Sequence, residues 1–196
     1  WMKGVEGLNE TTSGLHRVVR VADGEILNRY WDENNTPRPE SYREDVELAH
    51  ESKQDPKEIY RHLRAGAESG WDFSCRWFKD KTQFTSIDTT DIIPVDLNCL
   101  LVHLEQTIAD AYWLKEDSEA SKEYKSLAEK RKQAIQKYCW DTDLRFFVDY
   151  DRKEKKQKQL FTLAGLFPLA FGLATREQSK QVAAIVNEKF LKAGGV

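Results

Sequence analysis

Apolar residues recur at helical spacing through most of this chain and alternate only in short stretches. Residues 41–52 and 56–68 each read as a helix, with Asp55-Pro56 between them as an N-cap followed by proline in the first turn. After Pro94, Leu97, Leu100, Leu101, Leu104, Ile108, Ala111 and Tyr112 mark one helical stripe. A polar turn, Lys115 to Ser118, leads into a second stripe of Tyr124, Leu127, Ala128, Ile135 and Tyr138, whose opposite face is rich in Lys and Glu. Leu163 to Ala174 is an apolar helix that Pro168 starts or kinks, and Val182, Ile185, Val186 and Phe190 form a last amphipathic helix stopped at Gly194-Gly195. About six helices in all, joined by polar turns, predict stacked helical hairpins.

Strand signals are minor. Residues 17–27 alternate around Asp23-Gly24, a pair that tolerates the positive φ of a tight hairpin. Residues 146–151 alternate briefly, and the basic run 152–158 after them reads as an exposed turn. Residues 31–40, with Pro37 and Pro39, predict an ordered loop, because both prolines disfavour helix just upstream.

Composition narrows the function. The 196 residues carry 30 Lys plus Arg against 33 Asp plus Glu, a formal charge of -3. That balance argues against nucleic acid as a partner, which needs a clustered basic excess. A 40% apolar content suffices for a folded core. No apolar run approaches the ~18 residues of a membrane span, and no apolar segment follows Trp1-Met2-Lys3-Gly4 as in a signal peptide. Cys75, Cys99 and Cys139 are too widely spaced for a metal pair or a disulfide framework and read as buried or half-buried thiols. His16, His50, His62 and His103 are scattered, so no zinc site is visible.

Two segments resist a packing explanation. In Pro37-Arg38-Pro39-Glu40-Ser41-Tyr42, prolines bracket an arginine; in Ser69-Gly70-Trp71-Asp72-Phe73-Ser74, an acid sits between aromatics. A carboxyl flanked by rings loses hydration, which favours its protonated form, as a general acid for a glycosidic oxygen requires. Gly70 permits close approach of a ligand, and Arg38 and Glu40 offer hydroxyl hydrogen bonds. On the residues alone, Asp72 reads equally well as a helix N-cap beside core neighbours, and Arg38 with Glu40 as a surface ion pair. Glu44-Asp45, Asp32-Glu33 and Asp149 with Asp151 read as solvated acids, and Asp88 and Asp91 as turn or cap residues.

Around these segments the chain resembles the trehalases of glycoside hydrolase family 37. The resemblance rests on ordered blocks that run along essentially the whole sequence: residues 27–32 (Leu-Asn-Arg-Tyr-Trp-Asp), 37–42, 64–74 (Arg-Ala-Gly-Ala-Glu-Ser-Gly-Trp-Asp-Phe-Ser) and 93–98 (Ile-Pro-Val-Asp-Leu-Asn). Weaker echoes lie at 138–141 and 148–151. The resemblance implies an all-α fold, about half of an α/α toroid of helical hairpins with minor β-hairpins. It further implies residues 1–196 as part of one catalytic domain without internal boundary, and hydrolysis of α,α-trehalose to glucose with inversion.

Asp72 matches the family's general acid, and Arg38, Pro39, Glu40 and Gly70 match substrate-binding positions; no cofactor or metal is implied. The family's base lies in a later Gln-Trp-Asp-x-Pro block that this sequence lacks, as it lacks the upstream Gly-Gly-Arg-Phe signature. An inverting enzyme needs that second carboxylate roughly 6.5–9.5 Å from the acid. The expectation is therefore a central fragment, inactive alone, with the base outside the chain. The alternatives are a related toroid glucosidase with another substrate, or a non-catalytic helical carbohydrate-binding or scaffold fragment. The expected partner is a small disaccharide, with neither nucleic acid nor a membrane segment. The compartment, periplasmic or cytoplasmic in a bacterium, and the oligomeric state are left open.

Overall fold

A computed structural model describes residues 1–195. Its contacts group into two units. The first comprises Trp1–Gly24, Asn28–Ile93 and Asp151–Glu154; the second comprises Glu25–Leu27, Pro94–Tyr150 and the chain from Lys155 onward.

The first unit is built on two helices, α1 (Tyr42–Glu51) and α2 (Pro56–Glu68), which pack on each other. Asp55 caps α2 as expected, its carboxylate accepting the Lys57 amide at 2.8 Å, and Pro56 sits in the first turn. The face of α2 formed by Ile59, His62, Leu63 and Gly66 is buried. Against it lies a 3-10 turn, Thr89–Asp91. His62 Nδ1 accepts the Thr90 amide at 3.1 Å, which ties helix to turn. The N-terminal stretch pairs Gly14–Leu15 antiparallel with Val18–Arg20, and the Val21–Gly24 turn that follows places Gly24 at φ 94°. The Gly14–Leu15 strand lies upstream of the alternating stretch that the sequence marks.

The second unit centres on α3 (Val95–Leu114) and α4 (Ser118–Cys139). They run antiparallel: Tyr112 stacks on Tyr124 near the turn, while Glu105 and Asn98, earlier on α3, meet Arg131, later on α4. Asp117 caps α4, accepting the Ala120 amide at 3.0 Å. A two-residue strand, Trp140–Asp141, pairs with Phe146–Phe147. The expected strand 146–151 is therefore broken at Val148-Asp149 and resumes at Tyr150–Asp151. Buried Asp141 folds the connecting turn by accepting the amides of Asp143 and Leu144.

The long helix expected over 163–174 is also shorter. A 3-10 turn, Leu163–Leu166, gives way to α5 (Phe167–Ala170), which Pro168 can only begin, and Gly172 at φ 67° ends it. Gly165 lies so close to Phe146 and the Phe147 carbonyl that a side chain there would come within 2.3 Å of both. The last helix, α6 (Arg176–Ile185), opens with a Thr175–Gln178 capping box and runs on into a wider turn, Val186–Phe190. Among the described residues no helix is long and apolar enough to cross a membrane.

Candidate functional site

The candidate site occupies the first unit, where α2 and the loop after it meet the proline-bracketed loop. Gly66 faces the inner side of this corner. A Cβ there would approach Phe73 to 2.5 Å, so glycine is what lets the Phe73 ring settle on α2. Phe73 also packs against Phe84, with ring centres 5.3 Å apart. Gly70 turns the chain out of the helix at φ 73°, a left-handed conformation that disfavours other residues even though the surrounding space is open.

The loop carrying Arg38 is fastened from two sides. From α2, Arg64 donates to the carbonyls of Thr36 at 2.6 Å and Pro37 at 2.9 Å. One turn later Glu68 accepts the Trp31 amide at 2.8 Å and pairs with Arg17. From the first turn of α1, Asp45 accepts the Arg38 backbone amide at 2.8 Å, its Nε at 3.0 Å and its Nη2 at 2.7 Å. The Arg38 side chain is 13% exposed and that of Asp45 1%. These bonds, more than the opposing burial, hold the Arg38 guanidinium above its ordinary pKa; the charges of Asp45, Glu40 and Glu44 add to the effect.

Arg38 lies over the Phe73 ring, 5.0 Å from its centre, and so beside the chain neighbour of Asp72. Asp72, Glu40 and Gly70 are exposed, and the carboxylates of Asp72 and Glu40 make no hydrogen bond to any described residue. Pro39 opens a single 3-10 turn, Pro39–Ser41, which separates Arg38 from α1.

Several expectations are corrected. Arg38 pairs with Asp45 and not with Glu40, so Asp45 is a buried anchor and not a solvated acid. Trp71 and Phe73 do not strip water from Asp72, which stands exposed. The rings are engaged elsewhere, Trp71 under the Arg76 guanidinium at 5.3 Å and Phe73 against Gly66 and Phe84. Asp149 and Asp151 are buried too: Asp149 accepts the Val95 amide at 3.0 Å, and Asp151 accepts those of Lys153 and Glu154.

Sequence reasoning missed Asp45, Arg64 and Glu68 as site supports. Arg64 and Glu68 are spaced i, i+4 on one face of α2, a pattern that could have pointed to them. An open cleft of about 420 Å³ elsewhere in this unit is bordered by Lys53, Lys79, Asp88, Asp91 and Lys153 among others, and no predicted site residue lines it. Among the described residues, no group of three or more His, Cys, Asp or Glu could hold a metal ion.

Solved structures share the fold. The chain is similar to neutral trehalase from Saccharomyces cerevisiae, with 26% identity and a TM-score of 0.69 over 90% of this chain and 36% of that one. It shares its fold with mannosylglycerate hydrolase from Thermus thermophilus, solved with glucose, at 13% identity and a TM-score of 0.50 over 76% of this chain and 34% of that one. The chain thus spans about a third of the length of these proteins. Its fold class is all-α, part of an α/α toroid of helical hairpins as found in glycoside hydrolases. Within that class, residues 1–196 match the family described as Trehalase over their full extent, and the chain belongs to the trehalase family.

Proposed function

We propose that the protein containing this chain hydrolyses α,α-trehalose to two glucose molecules with inversion at the attacked carbon, and that Asp72 is its general acid. One observation supports this above all. The exposed, unbonded Asp72 carboxyl follows a left-handed Gly70, and its chain neighbour Phe73 packs against a guanidinium already fixed in place, in a chain of the trehalase family.

In the reaction, Asp72 gives its proton to the bridging oxygen as the glycosidic bond breaks, leaving a carboxylate and a free sugar hydroxyl. A water molecule attacks the anomeric carbon from the opposite face and loses its proton to a second carboxylate, which lies outside these residues. Arg38, Pro39 and Glu40 hold the sugar, its hydroxyls bonding to the guanidinium and the Glu40 carboxylate, and the Gly70 backbone approaches the ring. The water exclusion that Trp71 and Phe73 do not supply comes with the disaccharide itself and with whatever covers it.

The test is Asp72→Asn in the protein containing this chain. Turnover of trehalose should fall by ~10²–10⁴-fold, the scale of one general-acid contribution. The wild-type protein should release one β- and one α-glucose from each trehalose, read by proton NMR before mutarotation. Near-wild-type kcat in the variant would overturn the role of Asp72. Faster hydrolysis of maltose than of trehalose would move the substrate to another glucoside.

A further inference from the structure

We infer that Asp45 is the positioning residue of this site, orienting Arg38 so that its far edge, Nη1 and the outer N–H of Nη2, is the one offered to a ligand hydroxyl. The inference rests on the sugar-binding reading above.

A guanidinium carries five N–H donors on three nitrogens. Asp45 occupies Nε and Nη2 with its two oxygens, the fork-on-fork geometry that fixes both plane and direction. The same carboxylate holds the Arg38 amide, so backbone and side chain are pinned by one group. Phe73 covers a face of the guanidinium at 5.0 Å. Among the described residues Nη1 has no hydrogen-bond partner and Nη2 has Asp45 alone, which leaves three N–H groups, two on Nη1 and one on Nη2, along the edge away from Asp45 for a ligand. Glu40 and Glu44 act on Arg38 through their charge but do not bond to it, so neither duplicates the hold. Asp45 is buried, with its side chain almost wholly covered, and therefore cannot serve as a sugar contact itself. Its effect on binding must pass through Arg38.

Asp45→Asn keeps the shape of the side chain but turns one acceptor into a donor that faces another donor. In the protein containing this chain, KM for trehalose should rise ~10-fold, about the worth of one charge-assisted hydrogen bond, with the smaller part of the loss in kcat. In an Arg38→Lys background, which cannot form the fork, the same substitution should add less than ~2-fold to KM, since residues acting through one another are not additive. A merely structural role would lower the amount of active protein and the melting temperature while leaving KM unchanged, and that result would overturn the inference. An equal rise in KM in both backgrounds would overturn it too.

A second measurement is independent of turnover. The Arg38 Nε–H signal in a ¹⁵N–¹H spectrum, assigned by its loss in Arg38→Lys, should be protected from exchange in the wild type and unprotected in Asp45→Asn. If the wild-type protein does not hydrolyse trehalose, the substrate reading falls, and this signal still decides the orientation. Protection in the wild type that is lost in Asp45→Asn supports the orientation, and equal protection in both overturns it.

Discussion

His62 shows how one buried side chain can set a pH limit on the first unit. Burial, reinforced by the charges of Lys153, Arg29 and Arg61 against the opposing pull of Asp91, lowers its pKa from 6.5 to about 4. The neutral ring is the one that can accept the Thr90 amide. The unfolded chain binds this proton near pH 6.5 and the folded chain only near pH 4, so between these values the unfolded state holds more protons. Stability from His62 is therefore complete above pH 6.5 and is lost as pH falls towards 4, with a slope of at most about 1.4 kcal/mol per pH unit. His62→Gln keeps an acceptor without a titrating ring. Its melting temperature should fall less than the wild type's over that window, and parallel curves would exclude His62 as the cause.

The same scale shows what the residue pattern could and could not reveal. Asp55, Asp117 and Pro56 act within their own helix ends, and a local signal reports a local role. Asp45, Asp149 and Asp151 look like surface acids in the sequence because burial of a carboxylate is decided by its partner. For Asp149 the partner is an amide 54 residues away. The aromatic neighbours of Asp72 mislead for a related reason: adjacency in the chain does not say which way the rings turn, and here α2 and Arg76 take them.

Among the elements, the α3–α4 hairpin is the most legible, since its two long stripes announce both helices and the turn between them. Its buried polar centre is not legible. Arg131 donates to Glu105 at 2.8 and 3.0 Å and to Asn98 at 3.1 Å, and Asn98 in turn donates to the Pro94 carbonyl at 2.8 Å. Periodicity marks only the apolar members of a helix face, so a charge on that face passes for solvent-exposed. Arg131→Met should cost about 3–5 kcal/mol in urea unfolding, because Glu105 would be left buried and unpaired. Replacing both, Arg131→Met with Glu105→Leu, should recover most of that loss; equal losses for the single and the double variant would show that the pair is not the source. The sequence overstates α5 for a simpler reason. Leu163 to Ala174 is apolar throughout, and beyond Pro168, which the sequence marks, tertiary crowding at Gly165 and the left-handed Gly172 divide it.

For the molecule as a whole, α3 leaves large apolar side chains in water. Leu100 and Leu104 are partly exposed, Trp113 is 63% and Leu114 83% exposed. Large apolar side chains left in water are available for contacts. With these side chains bare and no second carboxylate assigned, the 196-residue polypeptide produced alone should bind a hydrophobic dye such as ANS and release no glucose from trehalose. Measurable turnover by that polypeptide would place the base within it. The family was readable from the ordered blocks. How the site is held was not, because its supports, Asp45, Arg64 and Glu68, lie on two helices whose mutual packing no local pattern encodes.

The grip on Arg38 spans only seven residues, from the loop to the first turn of its own helix. Closing so small a ring costs little chain entropy, so it needs no distant part of the polypeptide to be in place beforehand. The segment 38–45 is in that sense portable: grafted at the start of a helix in an unrelated scaffold, it should carry its aimed guanidinium with it.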